Sequence, residues 1–403
     1  MNILQINVCL DKGGAAKVAL DLHNNLLSFN INSRFAYGWG NRGGMSSSEI
    51  SVKSCFRVGS RLQVIPNYLF HSILGIDLFN PYGIGRKNLI EAIQLADVIH
   101  LHVVHSYFIK FTWLVKAIQR AKKPIVWTTH DYWAVTGRCA SVGECNKWKS
   151  GCGNCPKLSS YPSAYFDNTR AQFKRKRGLL EEISSDLVMV APSKFLASEL
   201  AANLPNIEVL HIPNWLDEKF QIACRNHQLP NDIIRLPINN VKVLIVANNL
   251  NDPSKVNVDL INKLLKIRGV ELHCIGSNSP FTEGNVKNYG EISNREQMVE
   301  VVSSCDVALF TSEIDTFGLV MIEALACGVP VLAIESKASR EVLLDIGIKP
   351  IAIFSDILKI ISSRSLPSEY DNKTKSSLKF SVLDKFSRET ATKLYLDIYK
   401  RLI

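Results

Sequence analysis

Short apolar runs recur along the chain, separated by longer segments in which apolar residues return every three or four positions. The runs at 3–8, 33–37, 98–102, 125–129, 187–191 and 209–212 read as strands, and residues 15–27 read as a helix. The pattern restarts at 241–247 and continues with runs at 271–275, 307–310 and 329–334, again with helical stretches between them. Strands that alternate with helices predict parallel, doubly wound sheets. Two such series predict two Rossmann-like domains facing each other across a cleft. The predicted boundaries are 1–212 for the first domain, 213–385 for the second, and 386–403 for a final amphipathic helix. The polar stretch 226–240 opens the second domain.

A length of 403 residues suits two domains, and 46% hydrophobic with 21% charged residues suits a soluble globular protein. The first residues form a strand rather than a leader, and no run is long enough to span a bilayer, so the expected location is the cytosol. The balance of 47 basic against 37 acidic residues gives +10, which suits nucleic acid, an anionic membrane or a phosphate-bearing substrate. The clusters Lys122-Lys123 and Lys174-Arg-Lys-Arg177 are short and lack interleaved aromatics, so no nucleic-acid partner is expected. The apolar segment 62–79 is too short to cross a membrane; it fits a membrane-surface helix, a lid or a core helix.

The segment Asp315-Thr-Phe-Gly-Leu-Val-Met-Ile-Glu323, followed by Ala-Leu-Ala-Cys-Gly-Val-Pro-Val-Leu332, is the richest in chemistry. Gly318 suits a close turn, residues 319–326 read as a helix, and Gly328 stands where the helix stops. A helix start offers free N–H groups and a positive dipole end, both suited to a diphosphate. With Glu323 one turn in and Asp315 before it, the segment suits a sugar nucleotide: phosphates on N–H groups, hydroxyls on carboxylates. A capped Rossmann-type helix with one stray acid is the plain alternative. Gly13 and Gly14 form a second close-approach turn before the first helix, facing phosphate or nothing at all.

Trp127-Thr-Thr-His-Asp131 ends a strand, which is where α/β proteins place ligands. His130 there suits a sugar hydroxyl, with a packed, structural histidine as the alternative. His100 and His102 share one strand face and suit packing or acceptor contact. Cys139, Cys145, Cys152 and Cys155 follow a C-x5-C-x6-C-x2-C spacing, which suits a closed structural zinc in a loop with little core of its own. Two disulfides or four reduced thiols are the alternatives.

The Asp315–Glu323 segment resembles the E-x7-E signature of family 4 glycosyltransferases, with Asp315 one methylene shorter than the family's first acid. The stretch from His130 through Thr136-Gly-Arg-Cys139 to Cys155-Pro156, the Gly13-Gly-Ala-Ala16 turn and Arg340-Glu-Val342 resemble the members that build bacterial surface polysaccharide. The likeness covers nearly the whole chain. It implies the GT-B fold, with the last helix crossing back to the first domain, and a sugar transferred with retention and without a catalytic metal. It implies a nucleotide-sugar donor, a lipid-linked oligosaccharide acceptor and work at the cytoplasmic membrane face. By the same resemblance Asp315 holds the donor sugar, Glu323 the ribose hydroxyls, and His130 a sugar hydroxyl. Lys255, the Gly13-Gly14 loop and the N–H groups around Phe317, Gly318 and Leu319 hold the leaving diphosphate. The family pattern has an arginine where this chain has Asn249; Lys242 and Arg295 are the other bases available for that charge. A non-catalytic sugar- or nucleotide-binding module on the same fold is the rival reading.

Overall fold

The apolar runs pair as parallel strands in two separate sheets. The computed structural model describes residues 1–10, 12–39, 54–229 and 232–403; Asp11 of the glycine turn and residues 230–231 of the polar stretch fall outside them. In the first sheet, β1 (Asn2–Cys9), β2 (Asn32–Trp39), β3 (Cys55–Arg57), β4 (Val98–Leu101), β5 (Ile125–Thr128), β6 (Leu187–Ala191) and β7 (Glu208–His211) take the order β3-β2-β1-β4-β5-β6-β7. In the second, β8 (Val241–Asn249), β9 (Val270–Ser277), β10 (Val286–Gly290), β11 (Val307–Phe310) and β12 (Val331–Ala333) take the order β10-β9-β8-β11-β12. Each sheet grows outward in both directions from its first strand. The order therefore reverses between β1 and β4, and between β8 and β11. At such a reversal the loops leave the strand ends in opposite directions and open a crevice at the carboxyl ends.

The chain divides into two compact units: Met1–Pro213 with Glu389–Ile403, and Asn214–Arg388. Within the first unit, helix Arg388–Leu402 is fixed by polar contacts to buried groups at the sheet and on helix Gly14–Ser28. The Tyr399 hydroxyl is 2.5 Å from His100 Nδ1, the Tyr395 hydroxyl is 2.9 Å from Thr128 Oγ1, and Asn25 donates to Thr392 Oγ1 at 2.5 Å. All six side chains are buried.

The strands that the apolar pattern does not predict lie at sheet edges. β10 exposes most of its residues and β3 has only three, so neither presents an apolar run. β12 is shorter than the run at 329–334 because its first residues serve other purposes. Val329 closes the preceding helix by donating to the Ala324 carbonyl at 3.0 Å, and Pro330 has no N–H to give a strand partner. The apolar segment 62–79 resolves into helix Arg61–Leu74, ended by Gly75, and the loop after it. Among the described residues, no helix is long and apolar enough to cross a membrane.

Candidate active site

In the second unit, two loops leave the neighbouring strands β8 and β11 and are stitched together. Thr311 Oγ1 donates to the Lys255 carbonyl at 3.0 Å and accepts the Asn257 N–H at 3.1 Å. Ser312 donates to the Ser254 carbonyl at 3.2 Å. These bonds carry Lys255 to Asp315, and the ammonium and carboxylate form an ion pair. Both groups are only partly buried at the strand ends.

Helix Leu319–Ala326 begins immediately after this loop. Gly318 precedes it at φ 88°, in the left-handed region. The left-handed conformation calls for glycine; a Cβ there would lie 2.6 Å from Met321 Cε, the end of a flexible side chain that can shift. The helix ends in a Schellman motif, with Gly328 N–H on the Leu325 carbonyl at 2.9 Å and Val329 N–H on Ala324. Its start has no side-chain cap. Helices Glu218–Asn226, Val258–Leu265, Arg295–Ser303, Lys337–Leu344 and Lys375–Lys385 of the same unit are each capped by a side chain. The N–H groups after Phe317, Gly318 and Leu319 are thus left for another acceptor.

Glu323 projects from the second turn of this helix, and Arg295 Nη1 lies 3.9 Å from its carboxylate. The same guanidinium pairs with Asp217, which caps Glu218–Asn226, and stands over the Phe220 ring at 5.6 Å. Asn249, in the place of the family's arginine, spends its side chain on a turn, accepting the Asn251 N–H at 3.1 Å. Of the two other bases, Lys242 lies at the start of β8, the opposite end from Lys255, and Arg295 alone reaches Glu323. The Arg295–Asp217 pairing and the Thr311 and Ser312 bridges were not anticipated from sequence, whereas free N–H groups at the helix start were. The unanticipated contacts join residues far apart in the chain.

In the first unit, Gly13 takes φ 93° ahead of helix Gly14–Ser28, whose start is also uncapped. No atom lies within 4 Å of a Cβ built on Gly13, so its conformation, not crowding, calls for glycine. His130 follows β5 and stacks on His102 with ring centroids 5.5 Å apart, its Nε2 3.2 Å from His102 Nδ1. His102 Nε2 in turn faces Gln5 at 2.9 Å. Burial pulls the His130 imidazole down to about 4 and, with His130 beside it, His100 to about 3. His102 is held well below the ordinary range by burial and by its two neighbouring rings. The row is therefore neutral at physiological pH and serves in hydrogen bonding, not as a source of charge. Asp131 bonds His105 at 2.9 Å and accepts the Trp133 N–H at 2.8 Å. Burial alone would raise its carboxyl, but His105, these bonds and His130 outweigh that and hold it below its ordinary value.

Nothing in this geometry supports the zinc expected at Cys139, Cys145, Cys152 and Cys155. All four are free thiols, and among the described residues no three His, Cys, Asp or Glu side chains form a group able to hold a metal ion. The loop instead has a core of its own. Trp148 is buried against Tyr132 with ring centroids 5.4 Å apart, Arg138 donates to the Ser160 and Lys157 carbonyls at 2.7 Å each, and Thr136 donates to the Cys139 carbonyl at 2.7 Å. Burial raises the Cys139 and Cys152 thiols.

The family model described as "Glycosyl transferases group 1" matches residues 281–349, the segment holding Arg295, Asp315, Gly318 and Glu323. Over 359 residues the chain is 33% identical to WcaC of Escherichia coli (strain K12), a glycosyl transferase assigned by its name to colanic acid biosynthesis, with 87% of each chain covered. The chain is a group 1 glycosyltransferase. Solved structures agree on the fold. Sucrose-phosphate synthase from Thermosynechococcus elongatus matches with TM-score 0.63 at 14% identity, covering 100% of this chain and 98% of that one. The pneumococcal O-GlcNAc transferase GtfA, solved with UDP and GlcNAc, matches with TM-score 0.61 at 9% identity, covering 100% and 99%. Each unit of this glycosyltransferase carries the doubly wound parallel sheet of the GT-B fold, and its loops leave carboxyl strand ends at both order reversals. Lys255, His130 and the four cysteines lie outside the 281–349 match.

Proposed function

We propose that this glycosyltransferase transfers a sugar, with retention, from a nucleotide-sugar donor to a lipid-linked oligosaccharide during synthesis of a bacterial surface polysaccharide. The observation that carries the donor half is the uncapped start of helix Leu319–Ala326, set between the Lys255–Asp315 pair and the Glu323–Arg295 pair. Free N–H groups and a dipole end suit a diphosphate, and the negative charge that grows on the leaving group is stabilised by donors already in place.

In this reading Lys255 exchanges part of its contact with Asp315 for a phosphate oxygen, which frees Asp315 to accept from a donor-sugar hydroxyl. Glu323, oriented by Arg295, accepts from the ribose hydroxyls. Arg295 supplies positive charge in the second unit where Asn249 supplies none, although Asp217 and Glu323 already offset it. The Gly13-Gly14 loop offers further N–H groups. His130, neutral in its row, donates to or accepts from a sugar hydroxyl. No step needs a metal or a proton from His130. The acceptor class and the membrane face rest on the likeness to a protein named for colanic acid biosynthesis and on the basic balance of the chain.

The test is thermal shift and hydrolysis against UDP-, GDP-, CMP- and dTDP-sugars. One of them should stabilise the protein and be turned over, and Glu323→Ala should abolish both effects while the protein stays folded. No shift with any of the four at millimolar concentration would overturn the donor assignment.

A further inference from the structure

A recess in the first unit lies between the end of helix Arg61–Leu74 and helix Thr169–Glu182, with a cavity volume of about 50 Å³. Its lining is rich in basic side chains: Lys110, Arg138, Arg175 and Lys176, the last pulled down to about 7 by burial, together with the ring of His71 and one carboxylate, Asp77.

Two of these side chains are buried with a nitrogen unused. Arg138 is 2% exposed, and although both terminal nitrogens donate to carbonyls, its Nε has no partner. His71 is 7% exposed; its Nδ1 is 3.2 Å from Asp77, and its Nε2 has no partner. Arg138 Nε is thus a buried donor without a partner in this recess, and the surrounding charge suits an anion. Lys176, buried beside them, donates to the Trp133 and Thr136 carbonyls and lies over the Trp133 ring.

The helix that brings His71 into the recess has an apolar outer face. Leu62, Ile65, Leu69 and Ile73 recur at helical spacing and are 79%, 55%, 54% and 49% exposed. Tyr165 and Phe166, also exposed, join this face through N–H bonds to the Ser72 and Ile73 carbonyls at 2.8 and 2.9 Å. The basic recess is thus continuous with exposed apolar surface through the last turn of one helix.

We propose that the recess binds the phosphate or diphosphate of an acceptor carried on an apolar chain, with the chain lying along the outer face of helix Arg61–Leu74. This rests on the lipid-linked acceptor of the proposed function and adds where its phosphate is held. Arg138 Nε donates to a phosphate oxygen, and Lys110 and Arg175 balance the remaining charge at the mouth.

The test is calorimetric titration of the full chain with farnesyl diphosphate, inorganic pyrophosphate and farnesol, each with and without millimolar UDP. Farnesyl diphosphate should bind at least about ten-fold more tightly than pyrophosphate, farnesol should bind weakly or not at all, and UDP should displace neither ligand. Lys110→Glu with Arg175→Glu, both at the mouth of the recess, should weaken farnesyl diphosphate by about ten-fold or more, which keeps the test decisive even if Arg138→Gln does not fold. Equal affinity for farnesyl diphosphate and pyrophosphate would reduce the recess to a site for free phosphate and overturn the carrier. Displacement by UDP, or no effect of the Lys110 and Arg175 changes, would place the ligand elsewhere and overturn the site. Donor binding is read separately, by nucleotide-sugar thermal shift on the unaltered protein, so the two readings fail independently.

Discussion

The ligand-facing strand ends of the two units handle charge in opposite ways. In the first, buried His100 and His102 stand beside a partly buried His130, and desolvation keeps all three neutral. In the second, Lys255, Asp315, Arg295 and Glu323 form ion pairs that are partly exposed, each acid beside a base. The same parallel architecture supplies both. The difference lies in the segment after each strand: beyond β5 the chain passes under a covering loop with its own aromatic core, whereas the loops after β8 and β11 bond to each other and leave their charges toward solvent. Neutral groups suit hydroxyl recognition and charged groups suit a diphosphate, so the contrast divides the chemistry between the units.

Acid should break this contrast most strongly. Each of the three rings takes up a proton near pH 6.5 once unfolded but resists doing so while folded. Their contribution is fully present above 6.5 and is lost as pH falls toward about 4, at roughly 1.4 kcal/mol per pH unit for each proton. The second unit has His273 as its counterpart, also held low by burial. Five of the six tryptophans belong to the first unit and only Trp215 to the second, so fluorescence in a urea series from pH 7 to pH 4 should show the first unit failing early. A pH-independent midpoint over that range would refute the neutral row.

Glu323→Ala should lower kcat/KM by about 100-fold or more, close to 3 kcal/mol in transition-state binding, with a smaller change in melting temperature. Equal retention of turnover would remove Glu323 from the donor site. Lys255→Met should separate stability from function. A partly exposed ion pair is worth about 0–1 kcal/mol, so chemical denaturation should barely move, while turnover should fall about ten-fold. A loss of stability without loss of turnover would recast the pair as structural. Gly318→Ala should cost about 1–2 kcal/mol in unfolding free energy, because the new methyl meets Met321 at a left-handed position. An unchanged value would mean that the turn relaxes freely.

Much of this architecture is visible in the sequence because a strand covered on both faces must be apolar throughout, and such runs stand out. Edge strands such as β10 are solvated and leave no such trace. The helix of Glu323, its glycine entry and its glycine stop are contiguous, and the structure bears out all three. The pairing of Lys255 with Asp315 is hidden, since it depends on β8 and β11 being neighbours although 60 residues separate the partners. Arg295 reads from sequence only as a spare cation, and its attachment to Asp217 depends on helix placement that no local pattern encodes. The cysteine spacing is legible, and the core of its loop is not. The spacing suggests a loop without a core, whereas Trp148, Tyr132 and Arg138 provide one from residues that spacing rules do not count.

The seating of Tyr395 and Tyr399 against Thr128 and His100 has a consequence for the order of synthesis. The first unit's sheet is complete by β7, yet two of its buried polar groups receive these tyrosine partners only from helix Arg388–Leu402. The ribosome must therefore make the whole of the second unit before the first can close. Until then β4 and β5 wait with polar groups meant for burial. On a chain emerging at about 5–20 residues per second, that interval lasts roughly ten to forty seconds. The unit begun first is finished last, and its late partner is a stretch of helix that a stalled or clipped chain would lack.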